Sequence, residues 1–241
     1  MAIQELDILA FAAHPDDAEL GCSGTLYKHV LKGYKVGIID LTRGELGTRG
    51  SVELRNKEAE ASSKVLGISV RENLDFADGF FQNDKAHQLE IIKVIRKYRP
   101  KIVLANSISD RHIDHGRAAA LVADAAFLSG LAKIETSFNG HNQDAWRPQA
   151  IYHYIQDYYL KPDFAVDITD TFDKKLESIQ CFSSQFFNPK SNEPETPISS
   201  KDFLDFVEAR AREFGRPIQA KYAEGFKTAR YVGINDLFNL K

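Results

Sequence analysis

Short apolar runs alternate with helix-like segments through the first half of this 241-residue chain. The first run, Leu6–Ala13, is almost continuously apolar, which is typical of a strand buried on both faces of a sheet. Strands are predicted at Leu6–Ala13, Lys35–Leu41, Asn73–Phe76 and Lys101–Asn106. Helices are predicted at Glu19–Lys32, Val52–Leu66, Leu89–Tyr98 and Gly116–Leu128. This alternation predicts an α/β fold, with a Rossmann-like parallel sheet flanked by helices.

The remainder of the chain is less regular and predicts a mixed strand and helix extension. Its predicted strands are Ala150–Ile155 and Phe164–Ile168, and its predicted helices are Asp173–Phe182 and Asp202–Phe214. The polar segment Asn188–Ser200 contains three of the eight prolines and is expected to be a loop. Because we find no repeat, low-complexity tract or clear linker, we expect a single domain over residues 1–241.

Composition excludes several broad classes of protein. The balance of 31 basic and 34 acidic residues argues against nucleic-acid binding, which requires a clustered basic excess. No apolar run approaches the roughly 18 residues needed to span a bilayer, and the acidic start is unlike a signal peptide. Only Cys22 and Cys181 occur, so a disulfide framework is excluded. We therefore expect a cytoplasmic globular protein that binds neither nucleic acid nor membranes.

Topology indicates where to look for a functional site. In the common doubly wound order, the first and fourth strands are neighbours, and ligands bind at their carboxyl ends. After the first strand comes the segment His14–Glu19, and after the fourth comes Asp110–His115. Both segments carry histidine and carboxylate side chains, and neither is a glycine-rich turn. Acidic side chains at the first position would repel a pyrophosphate, so a dinucleotide site is excluded on charge.

A divalent metal suits these residues better. His14 and Asp17 are three residues apart at a predicted helix start, so both side chains can point to the same side. A third ligand from the second segment, either His112 or His115, would complete an open catalytic site of two imidazoles and one carboxylate. Asp16 cannot easily share the direction of its neighbours, which favours a role beside the metal as general base.

Each motif also has an ordinary structural explanation. Acidic residues stabilise a helix N-terminus without any metal, and proline is common in a first helical turn. The joint placement of the two motifs at one crevice is what favours a functional site. The other histidines lack such a placement and are expected to be surface or satisfied partly buried residues: His29, His87, His141 and His153.

The same residues carry a resemblance that extends over nearly the whole chain. The matching motifs are Ala13–Asp17 with Glu19 and Gly21, Gly24–Thr25, Thr42–Glu45, Glu53–Ala59, Arg111–His115, Ser184–Phe186 and Tyr222–Phe226. They resemble the PIG-L/LmbE-like zinc-dependent N-acetylglucosamine deacetylases, with bacillithiol-biosynthesis deacetylases of N-acetylglucosaminyl malate as the nearest branch. The chain departs from this pattern at Ile113, where relatives commonly carry proline.

The resemblance implies a role for each site residue. His14, Asp17 and His115 would bind Zn²⁺, with Fe²⁺ as the alternative in cells, and Asp16 would be the general base. His112 would stabilise the oxyanion or protonate the leaving amine, and Asp114 would lie behind His112 and raise its pKa. Arg55 and Arg111 would bind the substrate carboxylates. Some relatives supply a tyrosine to the oxyanion, and the position aligned with it here is Phe203.

The resemblance further implies a homo-oligomer, either a hexamer or a trimer, that acts on a small-molecule conjugate of N-acetylglucosamine. Three alternatives stay open. The first is a deacetylase of another N-acetylglucosamine-containing substrate. The second is a ferrous oxygenase, which also uses two histidines and a carboxylate as metal ligands, and the third is a non-catalytic protein that binds a sugar or a metal. Asp16 argues against the oxygenase, because a carboxylate beside the metal has a role in hydrolysis and none that we can name in oxygen activation.

Overall fold

A seven-stranded sheet with helices on both faces forms the core of the computed structural model, which describes residues 5–239. The sheet order is β3-β2-β1-β4-β7-β9-β8, and the strands from β3 to β7 in this order are parallel. The strands are β1 Ile8–Ala12, β2 Val36–Thr42, β3 Val70–Phe76, β4 Ile102–Ala105, β5 Ser137–Phe138, β6 His141–Asn142, β7 Ala150–Tyr154, β8 Phe164–Asp167 and β9 Ala223–Lys227. The helices are α1 Asp17–Leu31, α2 Val52–Leu66, α3 Lys85–Tyr98, α4 Ile113–Leu128, α5 Phe172–Gln180 and α6 Lys201–Gly215.

The predicted α/β architecture is confirmed, including the adjacency of the first and fourth strands. The main differences concern boundaries. Helix α4 begins at Ile113 instead of Gly116, so Asp114 and His115 lie in its first turn. Helix α3 begins at Lys85, and β3 begins at Val70. Because the carboxyl ends of β1 and β4 meet at one edge of the sheet, the two histidine-containing segments are brought together.

Strand β9 and the small β5–β6 hairpin were not predicted from the sequence. Strand β9 lies between β7 and β8 and is antiparallel to both. Its sequence contains a glycine and the buried Glu224, which conceal its strand character. The charge of Glu224 is compensated by Lys175, whose Nζ lies 2.6 Å from the Glu224 carboxylate. The C-terminal extension is therefore part of the same sheet.

Strand β1, in the interior of the sheet, contributes side chains to both layers of the core. On one face, Leu9 and Phe11 of β1 pack with apolar residues of α3 and α4. On the other face, Ile8, Ala10 and Ala12 pack with residues of α1. This burial on both faces explains the continuous apolar run in the sequence.

Helix α1 lies unusually close to the sheet, because two of its residues are glycines. A Cβ at Gly21 would be 2.1 Å from Cδ2 of Tyr154, and one at Gly24 would be 2.8 Å from Cδ1 of Ile168. Tyr154 is fully buried and donates a hydrogen bond to the carbonyl of Phe11 at 2.9 Å. Moving the tyrosine ring would therefore break this hydrogen bond and disturb the packing around it. The ring holds α1 in a fixed position at the edge of the site.

We expect Gly21→Ala to lower the free energy of unfolding by about 1–3 kcal/mol, because the added methyl group overlaps the Tyr154 ring. The matched control is Gly116→Ala in α4, where a Cβ meets nothing closer than the Ile108 carbonyl at 3.4 Å. That variant is expected to be neutral or slightly stabilised, since alanine is the better helix former. Urea denaturation of both variants is the measurement, and equal stabilities would contradict this account of the packing.

Candidate metal centre and cavity

A cavity of about 450 Å³ opens at the carboxyl edge of the parallel strands. Residues that directly follow β1, β3, β4 and β7 contribute polar side chains to its inner end. Those that line the cavity are His14, Asp16, Asp17, Asp78, His112, His115 and Gln156. The site thus lies where the strand order predicts a ligand in a sheet of this kind.

The turn between β1 and α1 sends two successive carboxylates in different directions. Asp16 has a φ of 125°, in a region that non-glycine residues rarely adopt, and it precedes the first residue of α1, Asp17. Such strain persists only where surrounding contacts fix it, and it clusters at functional sites. Here the Asp16 carboxylate points to Arg55, and the Asp17 carboxylate points to the histidines.

Asp17 lies between two imidazole rings. Its Oδ2 is 3.6 Å from Nδ1 of His14, and its Oδ1 is 3.1 Å from Nε2 of His115. The centres of the two rings are 5.7 Å apart. The structure therefore brings together the three side chains that the resemblance implies as metal ligands.

The outer nitrogen of each of these rings is held by a carboxylate. Nε2 of His14 is 2.9 Å from Oδ1 of Asp78, and Nδ1 of His115 is 2.7 Å from Oδ2 of Asp110. This arrangement leaves Nδ1 of His14 and Nε2 of His115 as the inner nitrogens beside Asp17. A carboxylate behind a histidine is the usual way in which proteins fix the tautomer and direction of a ligating ring.

Two amide side chains fix the carboxylate of Asp17. Asn106 donates to Oδ2 and Gln156 donates to Oδ1, both at 2.9 Å. The two amides are joined by a further hydrogen bond of 3.0 Å, and Asn106 also accepts from the backbone N–H of Ala13. This amide clamp, defined as Asn106 and Gln156, connects the ends of β1, β4 and β7.

Two imidazoles and a carboxylate are donors that suit a divalent cation. Ligands of a tetrahedral ion with bonds of 2.0–2.1 Å lie about 3.3 Å apart, and the contacts of 3.1 and 3.6 Å, which run to different oxygens of Asp17, are close to that separation. Among the described residues, however, the groups of three side chains whose donor atoms all lie within 4.8 Å of one another are two others, and His14, Asp17 and His115 do not form such a group. They are His14, His112 and His115, and His14, Asp78 and Asp114.

The second of these groups is less suited to catalysis. Asp78 accepts a hydrogen bond from the backbone of Leu46, and Asp114 accepts from the backbone of Gly79 and from Arg117. Asp114 is completely buried and is not part of the cavity lining. An ion there would compete with these donors and would lie behind His14, whereas an ion beside Asp17 would face the cavity.

Arg55 lies under Asp16 and is occupied by acceptors from the protein. Its Nη2 donates to Oδ2 of Asp16 at 2.8 Å and to the carbonyl of Pro15 at 3.0 Å, and its Nη1 donates to the carbonyl of Gly44 at 3.3 Å. Both side chains of the ion pair are about 6% exposed. The structure thus corrects the expectation that Arg55 is available to a substrate carboxylate, because its position makes it the partner of Asp16.

Arg111 has a different environment. Its Nε lies 2.8 Å from Oδ2 of Asp157, and the side chains of the two residues are 41% and 31% exposed. Both residues line the cavity. Arg111 is therefore placed at the mouth of the cavity, where it can contact a substrate.

His112 is the N-cap residue of α4 and lies beside His14, with ring centres 4.6 Å apart. Its Nδ1 accepts a hydrogen bond of 3.2 Å from the backbone N–H of Asp114. The carboxylate of Asp114 instead bonds to Gly79 and Arg117 and lies 3.4 Å from Nε2 of His14. The expectation that this carboxylate lies behind His112 is therefore not met, since it is the backbone amide of Asp114 that contacts the His112 ring.

Burial and charge shift the titration of the site residues. Burial raises the pKa of Asp16 to about 7, although the Arg55 charge acts against this rise. Burial would also raise the pKa of Asp17, but His115 and His14 lower it well below its usual range. Burial and the charges of His14 and His115 lower the pKa of His112, although the charge of Asp114 acts in the raising direction that the resemblance implies. The site therefore contains two neighbouring carboxylates with very different proton affinities.

Helix α6 forms the opposite, largely apolar wall of the cavity. Phe203, Phe206 and Phe214 line this wall, and Phe203 has no hydroxyl group to offer to an oxyanion. Leu46 and Gly47, from the loop after β2, line another side. The cavity thus combines a polar inner end with apolar walls, a combination that suits binding of a small molecule.

Sequence reasoning gave no role to four residues of the inner end: Asp78, Asn106, Asp110 and Gln156. All four follow strands of the parallel sheet at its carboxyl edge, and this position is the signal that would have found them. Asp78 follows β3 and Gln156 follows β7, which are not among the two strands that the topology rule singles out.

Comparison with known proteins shows the family to which the chain belongs. Residues 9–126 match the family model described as PIG-L, GlcNAc-PI de-N-acetylase. A diacetylchitobiose deacetylase of Thermococcus kodakarensis is 32% identical over 230 residues, covering 91% of this chain and 82% of that protein. A 4-oxalmesaconate hydratase of Pseudomonas putida is 28% identical over 193 residues, which is 73% of each chain.

A solved structure shows the same fold. A conserved protein of Thermus thermophilus has a TM-score of 0.85 and 33% identity, covering 96% of this chain and 98% of that one. No helix among residues 5–239 is both long and apolar enough to cross a membrane. With this extent of sequence identity over nearly its full length, the chain belongs to the PIG-L family of GlcNAc-PI de-N-acetylase-like proteins.

Proposed function

We propose that this protein is a metal-dependent hydrolase that removes the N-acetyl group from a conjugate of N-acetylglucosamine. The observation that carries the proposal is the separation of roles in the His14–Asp17 turn. Asp17 lies between His14 and His115, while Asp16 points away from them and still lines the same cavity. Hydrolysis of an amide needs both a site for a Lewis acid and a base beside it.

His14, Asp17 and His115 would hold the ion, through the two inner nitrogens and the clamped carboxylate. Two imidazoles and a carboxylate suit Zn²⁺ and also Fe²⁺, so we propose zinc in the purified protein and ferrous iron as the alternative in cells. When bound, such an ion supplies Lewis acidity that activates water and polarises the acetyl carbonyl. The remaining steps depend on side chains of this chain.

Asp16 would accept the proton of the attacking water. The ion pair with Arg55 holds its carboxylate in one orientation, at the position where the strained turn directs it. His112 would donate a hydrogen bond to the developing oxyanion. Its Nδ1 is occupied as an acceptor by the backbone N–H of Asp114, so the neutral ring carries its proton on Nε2. Asp16 would then pass the proton that it took from the water to the nitrogen, and cleavage of the C–N bond would release acetate and the free amine.

The finer proposal is that the substrate is N-acetylglucosaminyl malate, as in bacillithiol biosynthesis. Arg111 is then the residue that binds a malate carboxylate. Removing Arg55 from the buried Asp16 would cost about 3–5 kcal/mol, whereas an exposed pair such as Arg111 with Asp157 contributes about 0–1 kcal/mol. A substrate carboxylate can therefore displace Asp157 from Arg111 at a much lower free-energy cost than it could displace Asp16 from Arg55.

A neutral disaccharide is the second candidate substrate. It is favoured by the similarity to the diacetylchitobiose deacetylase and by the apolar wall of α6, since an aromatic ring can pack against the apolar face of a sugar. The cytoplasmic location stays a prediction from the composition, and the homo-oligomeric state, a hexamer or a trimer, stays a prediction from the resemblance.

The direct test is release of free amine from three substrates: N-acetylglucosaminyl malate, N,N'-diacetylchitobiose and N-acetylglucosamine. The metal content of the same sample is measured in parallel. Because a relative is named a hydratase, addition of water to 4-oxalmesaconate is assayed beside them. Amine release from at least one conjugate is expected. Hydration without amine release, or metal binding without any turnover, would contradict the proposed function.

Asp16→Asn is expected to retain the metal while cutting kcat by about 100-fold or more, because a positioned general base contributes that much. The variant also breaks a buried aspartate–arginine pair, so a control must separate stability from catalysis. Asp40→Asn provides it, since Asp40 is buried against Arg71 at 2.7 Å and does not line the cavity. We expect Asp40→Asn to lose stability but keep its kcat. Loss of metal from Asp16→Asn would show that Asp16 is a ligand.

Replacing His14, Asp17 or His115 by alanine is expected to lower metal occupancy in each case, measured by elemental analysis after dialysis. His112→Ala is the matched comparison, because it removes an imidazole from the same cavity. That variant should keep its metal and lose most of its activity. If His112→Ala loses the metal as completely as His115→Ala, the three histidines are the ligands and Asp17 is not.

A further inference from the structure

The cations that line the cavity differ in how firmly they are paired. Arg55 is buried against Asp16, and Lys175 is buried against Glu224 and also donates to the carbonyl of Leu20. Arg210 donates to the carbonyls of three successive residues, 156–158, and packs against the rings of α6. Arg111 is the most exposed of these four cations, and its partner at the cavity mouth is Asp157.

The backbone around Asp157 is held independently of its carboxylate. Arg210 donates to the Asp157 carbonyl at 3.1 Å from one side. From the other side, Asp110 accepts a hydrogen bond of 2.8 Å from the backbone N–H of Tyr158. The preceding residue, Gln156, is anchored through its amide to Asp17. A change of the Asp157 side chain should therefore alter the charge beside Arg111 without moving the loop.

We propose that Asp157 determines the charge preference of the cavity mouth, where the substituent of the sugar binds. Its carboxylate occupies the position on Arg111 that a substrate carboxylate would take. An anionic substituent must displace it and is repelled by it, whereas a neutral substituent binds without disturbing the pair. Asp157 is thus a specificity residue that acts through Arg111, and this inference rests on the proposed deacetylase function.

The pair of Arg111 and Asp157 is suited to this role because both side chains are partly exposed. Replacing Asp157 on Arg111 by a substrate carboxylate therefore costs little free energy. The displaced carboxylate would return to water, so it would not be left buried and unpaired. In addition, the guanidinium can bind a carboxylate through two parallel hydrogen bonds, and the recorded contact with Asp157 uses only Nε.

The test compares kcat/KM for N-acetylglucosaminyl malate with kcat/KM for N,N'-diacetylchitobiose in the intact protein. Asp157→Asn is expected to raise this ratio by about 3- to 10-fold, since it removes both the competing partner and the repulsion. The control is Asp163→Asn, which changes net charge equally by breaking a comparably exposed pair with Lys227 outside the cavity. It should leave the ratio unchanged.

A second variant shows whether Asp157 acts through Arg111. In an Arg111→Gln background, Asp157→Asn should change the ratio much less, because the cation for which the carboxylates compete is absent. An unchanged ratio in the single variant Asp157→Asn, or an equal change with and without Arg111, would overturn the inference while leaving deacetylation intact.

Binding of free L-malate, measured by calorimetry, tests the inference without catalysis. Asp157→Asn should bind malate about 3- to 10-fold more tightly than the parent protein, and Arg111→Gln should bind it more weakly. Equal affinities in the parent and Asp157→Asn would overturn the inference. If the parent releases no amine from any conjugate, the proposed function fails, and the malate affinities still decide the role of Asp157.

Discussion

The arrangement of the site depends on the hydrogen bonds that hold the carboxylate of Asp17. Asn106, at the end of β4, and Gln156, after β7, each donate to one oxygen of this group. These donors can meet one carboxylate only because β1, β4 and β7 are neighbours in the sheet. Because of this strand order, the amide clamp holds the Asp17 carboxylate in one direction, between the rings of His14 and His115.

The second constraint is charge. Five aspartates converge on the inner end of the cavity, whereas the guanidinium groups paired with them there belong to Arg55 and Arg117. The aspartates are Asp16, Asp17, Asp78, Asp110 and Asp114. Protons on the histidines offset part of this excess, and a divalent cation would offset it while leaving the rings neutral. This excess of carboxylates also explains why Arg55 is committed to Asp16.

Much of the fold and part of the site could be predicted from the sequence. Buried parallel strands are visible as apolar runs, and the strand order predicts that a ligand binds at the carboxyl ends of β1 and β4. That reasoning located His14 and His115 in one crevice. It could not give the partner of Arg55, since a helix position specifies a face and not an acceptor 39 residues away. Strand β9 was missed because its buried Glu224 is neutralised by Lys175, a contact that only tertiary structure creates.

Anomalous diffraction from crystals of the zinc-loaded protein tests the central claim most directly, because His14 could offer either of its ring nitrogens to an ion. The account predicts a zinc peak on the cavity side, within bonding distance of Nδ1 of His14, the Asp17 carboxylate and Nε2 of His115. A peak between Nε2 of His14 and the carboxylates of Asp78 and Asp114 would contradict it, because the ion would then lie behind the ring and away from Asp16.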